Sequence, residues 1–399
     1  MTSNFWNRLD IDLLVMDKYH DPELVRHHYD VMLLVLRYFL DHTRGQPFSF
    51  QFSTRPLRLV EEEWSARLFE LLVAESMRWR EINLRILDFL MPTLYKAKHH
   101  MPLLSSAQLV RGTWCADQKH MHDLFEDVPH LTCLELVPFS TWRINWASLS
   151  VLKLTSGCEY NDELLLVLGQ AKRLEKLAIY QWPGSHLHST SLISLPNLQV
   201  LSISHIELLS QLQTPSLEEL YILEELIVTS FNITSIYVTS FLAKSSCQLR
   251  CLGVACWHAD PLAATLLFTP DLLHLTLYDN MDMVESFNEL AFRHRNGPLV
   301  CHLRSLMVIN RNFSSIEIMG LVALLASRTE RVEATSVVAP VEKSQKLMVI
   351  TSSKGGLDQC NTAVEILRQQ CVEHSVEFTV QYVRDMAWKH YDNMSILDW

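Results

Sequence analysis

The chain repeats one short alternation of apolar and polar positions. Residues 131–136 read LTCLEL and residues 149–154 read LSVLKL, both Leu-x-x-Leu-x-Leu. The hexad returns as LEKLAI (174–179), LQVLSI (198–203), LEELYI (217–222), LRCLGV (249–254), LLHLTL (272–277) and LRSLMV (303–308). Successive copies begin 18 to 32 residues apart, about 25 on average. Weaker copies flank the series at INLRI (82–86), LLSSAQLV (103–110) and RVEATSVV (331–338).

Side chains alternate across a strand, so the last two leucines of each hexad point inward together and the residue between them points out. One such strand with its return segment cannot bury its apolar face alone, and stacking in series closes a continuous core. The spacing matches leucine-rich repeats, which run about 20–29 residues. The expected fold class is therefore α/β: a leucine-rich-repeat solenoid, curved, with a parallel β-sheet on the concave side and helices on the convex side. The return segments agree. NDELLLVLGQAKR (161–173) places Leu164, Leu165, Leu168 and Ala171 on one helical face, and 283–295 and 314–327 also read as helix. Asn161 or Asp162 is expected to cap the first, and Ser314 or Ser315 the last. Two hexads stand back to back in LEELYILEELIVTSFNITSIYVTSF (217–241). The first is read as the repeat strand and the remainder as an irregular, β-rich excursion.

Before the repeats, 21–43 reads as a helix with Pro22 near its start and Leu24, Tyr29, Leu33, Leu36 and Leu40 at helical spacing. Its run VMLLVLRYFL (31–40) is too short to span a bilayer and carries Arg37, so it is read as a buried helix. QPFSFQF then alternates as a strand, 64–79 is a second helix and REINLRI a further strand. After the repeats, KLMVI (346–350), a helix at 358–374 and VEFTVQYV (376–383) form the last units, and the tryptophans of MAWKHYDNMSILDW cover them or fray. The organisation expected is a cap of helix–strand units at 1–95, repeats at 96–340 and a final repeat, cap and tail at 341–399.

Composition narrows the function. The 399 residues are 48% hydrophobic and 20% charged, with a formal net charge of −11. An acidic chain with no run of five Lys or Arg repels phosphate backbones, so no nucleic-acid partner is expected. The N-terminal MTSNFWNRLD lacks the basic start and apolar core of a signal peptide, and no membrane partner is expected. Nine cysteines in that setting read as reduced thiols, in the cytoplasm or nucleus. The sequons at Asn232, Asn312 and Asn393 then carry no meaning.

Motifs of enzyme chemistry are missing. His120-Met-His122-Asp123 lacks the final His of a metallohydrolase H-x-H-x-D-H pattern, and the adjacent pairs His27/His28 and His99/His100 diverge in a helix or strand. Cys247, Cys251, Cys256 and His258 do not follow a zinc spacing. KLMVITSSKGGLDQC (346–360) runs strand, glycine-containing loop, helix, but Lys354 precedes the glycines, the reverse of a P-loop. No catalytic residue, metal or cofactor is expected, and the chain is read as non-enzymatic.

The segments SMRWREINLRI, FEDVPHLTCLEL, INWASLSVLKL, LPNLQVLSI and FLAKSSCQLRCLGV resemble the leucine-rich region of F-box proteins abundant in basidiomycete fungi. FLDHTRGQPFSFQF resembles the helix and strand that open that region. The resemblance covers roughly 5–390 and implies the substrate-recognition part of a cullin–RING ubiquitin ligase. In the family the box precedes a segment like FWNRLDIDL, which here begins at Phe5. A Skp-type adaptor is therefore expected as a partner only where a box is encoded upstream. The alternatives are a scaffolding repeat protein unrelated to ubiquitin, and a hydrolase or metal enzyme.

The third, fifth and seventh residues from each hexad's start are expected to point out of the concave sheet. Three are tyrosines, and tyrosine and methionine favour interface centres. A protein partner is expected there, anchored by Tyr180, Tyr221 and Tyr278, with Lys176, Glu219 and His274 as polar contacts and Met307 beside them.

Overall fold

A computed structural model describes residues 8–13, 22–43, 45–54, 59–111, 123–137, 142–155, 161–180, 192–223, 231–255, 257–278, 283–291, 302–310, 314–334, 345–351, 361–373 and 375–382. The chain divides into two compact units, Met1–Ser189 and Thr190–Trp399. Among the described residues, no helix is long and apolar enough to cross a membrane.

Among the described residues, the first unit holds seven strands: β1 (Arg8–Asp12), β2 (Phe48–Ser53), β3 (Trp79–Ile86), β4 (Ser106–Arg111), β5 (Cys133–Val137), β6 (Val151–Thr155) and β7 (Lys176–Tyr180). They lie side by side in chain order, every pair parallel. Parallel neighbours need a crossover between them. The helices α1 (Pro22–His42), α2 (Leu59–Ala74), α3 (Met91–Tyr95) and α4 (Asn161–Gln170) lie in four of these connections. The second unit repeats the plan. Its sheet is β9 (Val200–Ile203), β11 (Glu219–Ile222), β12 (Cys251–Ala255), β13 (His274–Tyr278), β14 (Ser305–Ile309), β15 (Gln345–Thr351) and β16 (Val376–Tyr382), again parallel and in chain order. The two-residue strands β8 (Ile193–Ser194) and β10 (Leu212–Gln213) pair separately. Helices α5 (Phe231–Ser245), α6 (Ala259–Leu266), α7 (Met283–Ala291), α8 (Ser315–Ala334) and α9 (Asn361–Glu373) connect the strands from β11 onward.

All eight hexads carry a strand that begins at their third residue. Their first, fourth and sixth residues are buried throughout, none more than 8% exposed. These residues stack across strands: Leu134, Leu152 and Leu177 in the first unit, and Leu201, Leu220, Leu252, Leu275, Leu306 and Leu347 in the second. The register begins one step before each strand. The carbonyl of a hexad's second residue accepts two N–H groups from the next repeat: Thr132 from Ser150 and Val151, Glu218 from Arg250 and Cys251, Leu273 from Arg304 and Ser305. The weaker copies join the same scheme, since Ser105 accepts from Thr132 and Cys133 and donates its own N–H to Arg80.

Helices close the other side of the ladders. Phe52 of β2 meets Phe69 of α2 at 5.0 Å between ring centroids, and the Trp79 indole donates to the Leu72 carbonyl at 3.1 Å. Leu303, Leu306 and Leu347 share a narrow cavity of about 30 Å³ with Leu321, Leu324 and Leu325 of α8. The face expected on α4 is buried at Leu164, Leu165, Leu168 and Ala171. Ser314 caps α8: its Oγ accepts the Glu317 N–H at 3.3 Å, and Glu317 Oε2 accepts the Ser314 N–H at 2.6 Å, a reciprocal capping box.

Four expectations are corrected. The stretch 231–241 is helical, not β-rich, because Val238, Phe241, Leu242 and Ser245 form a buried face at helical spacing that overrides the weak propensity of its β-branched residues. RVEATSVV is not a strand at its start, since α8 continues to Ala334. The helix read to residue 79 stops earlier, and Trp79 opens β3. On α1 the buried face is Val25, Tyr29, Leu36 and Phe39, whereas Leu24 is 50% exposed. Residues 352–360 and 384–399 lie outside the described residues.

Candidate interaction faces

Opposite the leucine ladders, the alternate strand residues form rows of their own. In the second unit the first row is Val200, Glu219, Cys251, His274, Ser305, Lys346 and Glu377. The middle row is Ser202, Tyr221, Gly253, Thr276, Met307, Met348 and Thr379. Pleating places both on one face, with neighbours roughly 4.8 Å apart.

The tyrosines do not project from these rows. Tyr221 is 8% exposed, Tyr278 of the second unit 3% and Tyr180 of the first unit 3%. Parity aims them outward, but all three are buried. The Tyr221 hydroxyl turns back to donate to Glu219 Oε2 on its own strand, at 2.9 Å. Its ring leans over Gly253, with Tyr278 on the other side of the same residue. Burial is the main cause that raises the Tyr221 pKa, and the Glu219 charge adds to it, so the phenol stays protonated. Tyr221 and Tyr278 brace the sheet around Gly253, and all three buried rings offer little surface to a partner.

The surface that remains belongs to their neighbours. His274 is exposed, and Glu219, Cys251, Thr276, Ser305, Met307 and Met348 are half-buried. Desolvation lowers the His274 pKa below the ordinary imidazole value, against the pull of Glu219. Burial pushes the Cys251 thiol up to about 12, with Glu219 and Glu218 acting in the same direction. A thiol so held is not a nucleophile at neutral pH, because the thiolate is the reactive form. Beyond the half-buried strip, Lys346 and Glu377 form an exposed ion pair at 2.9 Å. Met348 and Lys346 escape a search for the hexad because position 344 is Ser where the repeat has Leu. The strand parity of KLMVI is the signal that recovers them.

In the first unit the corresponding face is more polar. Asn83, Gln108, Glu135, Lys153 and Ala178 form its middle row. Lys153 bridges to Glu135 at 3.0 Å, and its ammonium stands 5.9 Å from the Tyr180 ring centroid. Lys176, half-buried, lies in the row beside it with Val151 and Cys133.

The chemistry-bearing motifs resolve into structural contacts or lie outside the described residues. Asp123 accepts from Tyr95 at 2.8 Å and from Lys98. The Lys98 contact is the main cause holding the Asp123 carboxyl below the usual range. His120, His122 and Cys256 lie outside the described residues. Among the described residues, no group of three or more His, Cys, Asp or Glu is placed to hold a metal ion. Comparison with protein-family models and with curated proteins returns no match.

Proposed function

We propose that this chain is a non-enzymatic protein-interaction module of the leucine-rich-repeat type, with its partner on the face opposite the leucine ladders. The supporting observation is the half-buried strip Cys251, Thr276, Ser305, Met307 and Met348, flanked by His274 and Glu219. It is soft, weakly polar and poor in charge, the composition of an interface centre. Methionine adapts its shape to what it meets, which suits a recognition surface. The anchors expected at Tyr180, Tyr221 and Tyr278 move in this reading to Met307 and Met348, with the tyrosines as their support. The resemblance to the leucine-rich region of fungal F-box proteins supports substrate recognition in a cullin–RING ligase as its role. A scaffolding role unrelated to ubiquitin is the second reading, which the same strip supports equally.

The test compares wild type with Met307→Asp/Met348→Asp by quantitative affinity capture from the native cell, after circular dichroism shows an unchanged fold. Partners lost in the variant and kept in wild type support the strip. An identical partner set places recognition elsewhere. Co-purification of a Skp-type adaptor with the endogenous protein separates the ligase reading from scaffolding.

A further inference from the structure

The half-buried strip of the second unit is flanked on β11 by Glu219. The Glu219 carboxylate is itself half-buried and accepts the Tyr221 hydroxyl at Oε2, 2.9 Å away. That bond orients the group and leaves Oε1 without a partner among the described residues. The other charges of this face are answered. Lys346 pairs with Glu377 at 2.9 Å, and at the strand heads Arg250 pairs with Glu218 at 3.7 Å. Arg304, one place before Ser305, acts on His274 and has a contact of its own. Desolvation holds His274 below the ordinary imidazole value, so it adds no charge at neutral pH. Among the described residues of the face, Glu219 is the one charge that no ion pair answers. Its neighbours feel that charge: it raises Tyr221 and Cys251 and pulls on His274. A carboxylate so placed has given up water without gaining a cation.

The strand register sets what a partner must bring. Glu219, Cys251, His274 and Ser305 follow one another in a single row, Met307 stands two residues beyond Ser305, and Met348 lies beside Met307. From Glu219 to Met307 is three strand spacings, roughly 14–16 Å once the step along the strand is included. An extended segment covers about 13 Å in four residues and returns to the same side. One segment therefore sets a cation on Glu219 and an apolar side chain on the methionines from positions about four apart. Because Oε2 already holds the phenol, a compact ammonium suits the carboxylate better than a two-pronged guanidinium. Nucleic acid and anionic membranes bring the wrong sign. We propose, on the reading of this strip as an interaction face, that Glu219 seats a lysine of the partner protein. The lysine belongs to an extended segment whose apolar residue, about four positions away, lies on Met307 and Met348.

Synthetic peptides of about nine residues, long enough to cross the strip, test the proposal. On a Ser/Thr background they carry Lys and Leu about four positions apart, in either order, to allow both chain directions. A second set has Glu in place of Lys, and a third has Ser in place of Leu. Fluorescence anisotropy follows their titration with the full chain. The Lys–Leu peptide, in at least one order, is expected to bind wild type. It should bind Glu219→Gln at least about tenfold more weakly, the loss expected when one partner of a hydrogen-bonded charge pair is removed. Glutamine keeps the shape and still accepts the Tyr221 hydroxyl, so an unchanged melting temperature is expected of the variant. The Glu peptides should not bind. Raising salt from about 50 to about 300 mM should weaken binding to wild type, a measurement that needs no variant. Equal affinity for wild type and Glu219→Gln, equal binding of Lys and Glu peptides, salt-independent binding or no binding overturns the proposal. So does spermidine that binds as tightly as the peptide, which assigns the carboxylate to a free polyamine. The Ser-for-Leu peptide separates this proposal from the strip it rests on. Where the leucine costs nothing to remove and Glu219→Gln weakens binding, the lysine seat stands and the methionine strip falls. Where the leucine matters and Glu219 does not, the strip stands and the lysine seat falls.

Discussion

Tyr221 lies against the bare α-carbon of Gly253, on the neighbouring strand. A β-carbon built at 253 would stand 2.5 Å from Tyr221 Cδ1 and 3.3 Å from Tyr278 Cε2. The glycine is there for close approach between strands, with both rings sharing the space its missing side chain leaves.

Gly253→Ala should therefore displace the Tyr221 ring and lower stability by about 1–3 kcal/mol, the usual cost of overpacking. Tyr221→Ala in the same chain should recover part of that loss, since the clash has one main partner. A double-mutant cycle on melting temperatures measures the coupling. Additive effects would show that the ring is not what the new methyl group meets.

Leu201→Asp places a carboxylate at a position that is 0% exposed and stacked on Leu220. Burying an unpaired carboxylate costs several kcal/mol, comparable to the whole stability of a domain. Far-UV circular dichroism should report loss of structure at ambient temperature, and Leu306→Asp should do the same. Leu166→Asp, on the exposed side of α4, should change stability by less than about 0.5 kcal/mol. An unchanged melting temperature in the Leu201 variant would refute the ladder register.

Ser314→Ala removes half of the reciprocal cap on α8. The expected loss is about 0.5–2 kcal/mol, with faster amide exchange confined to the first turn of that helix. Protection that stays unchanged from Ser315 through Ile318 would assign the end of α8 to packing alone.

Tyr221 also sets a pH dependence. Its folded pKa is raised, so the folded state holds the proton more firmly than the unfolded chain does. The associated stability is fully present below the unfolded phenol value, about 10, and is lost as pH rises from there towards the folded value. Cys251, pushed up to about 12, acts in the same direction from the free-thiol range of about 8.5 upward. Tyr221→Phe loses the bond to Glu219, worth about 0.5–1.5 kcal/mol at neutral pH. Its melting temperature should then fall less steeply than wild type between about pH 9 and 11. Parallel slopes would remove Tyr221 from the alkaline transition.

What the sequence made legible follows from what leucine reports. Each hexad's apolar positions mark one side of one strand, and eight strands begin where that parity puts them. The opposite parity was equally readable, and it correctly aims Tyr221, Gly253 and Met307 to one side. It does not encode exposure, because the buried ring of Tyr221 and the half-buried thioether of Met307 occupy equivalent positions. Helix α5 was missed for a different reason. Its Ile, Thr and Val residues spell strand by propensity, while Val238, Phe241 and Leu242 spell helix by spacing, and burial decides for spacing. On α1 the residue type was read and the side was not, since a helix with two apolar faces gives no single periodic stripe.

The paired bonds to one carbonyl at the head of each strand have a consequence for how such a chain can change. Main-chain N–H groups make the joint between neighbouring repeats there, at Thr132, Glu218, Arg250 and Leu273 alike, and at Thr132 the Ser150 hydroxyl adds a third donor at 3.3 Å. The paired N–H bonds themselves require no particular side chain, so those positions are open to drift. Return segments of very different length meet the same fastening. Only proline, which has no N–H to give, is barred from the second and third places of a hexad. A repeat could be excised or grafted between two such carbonyls and the seam would re-form.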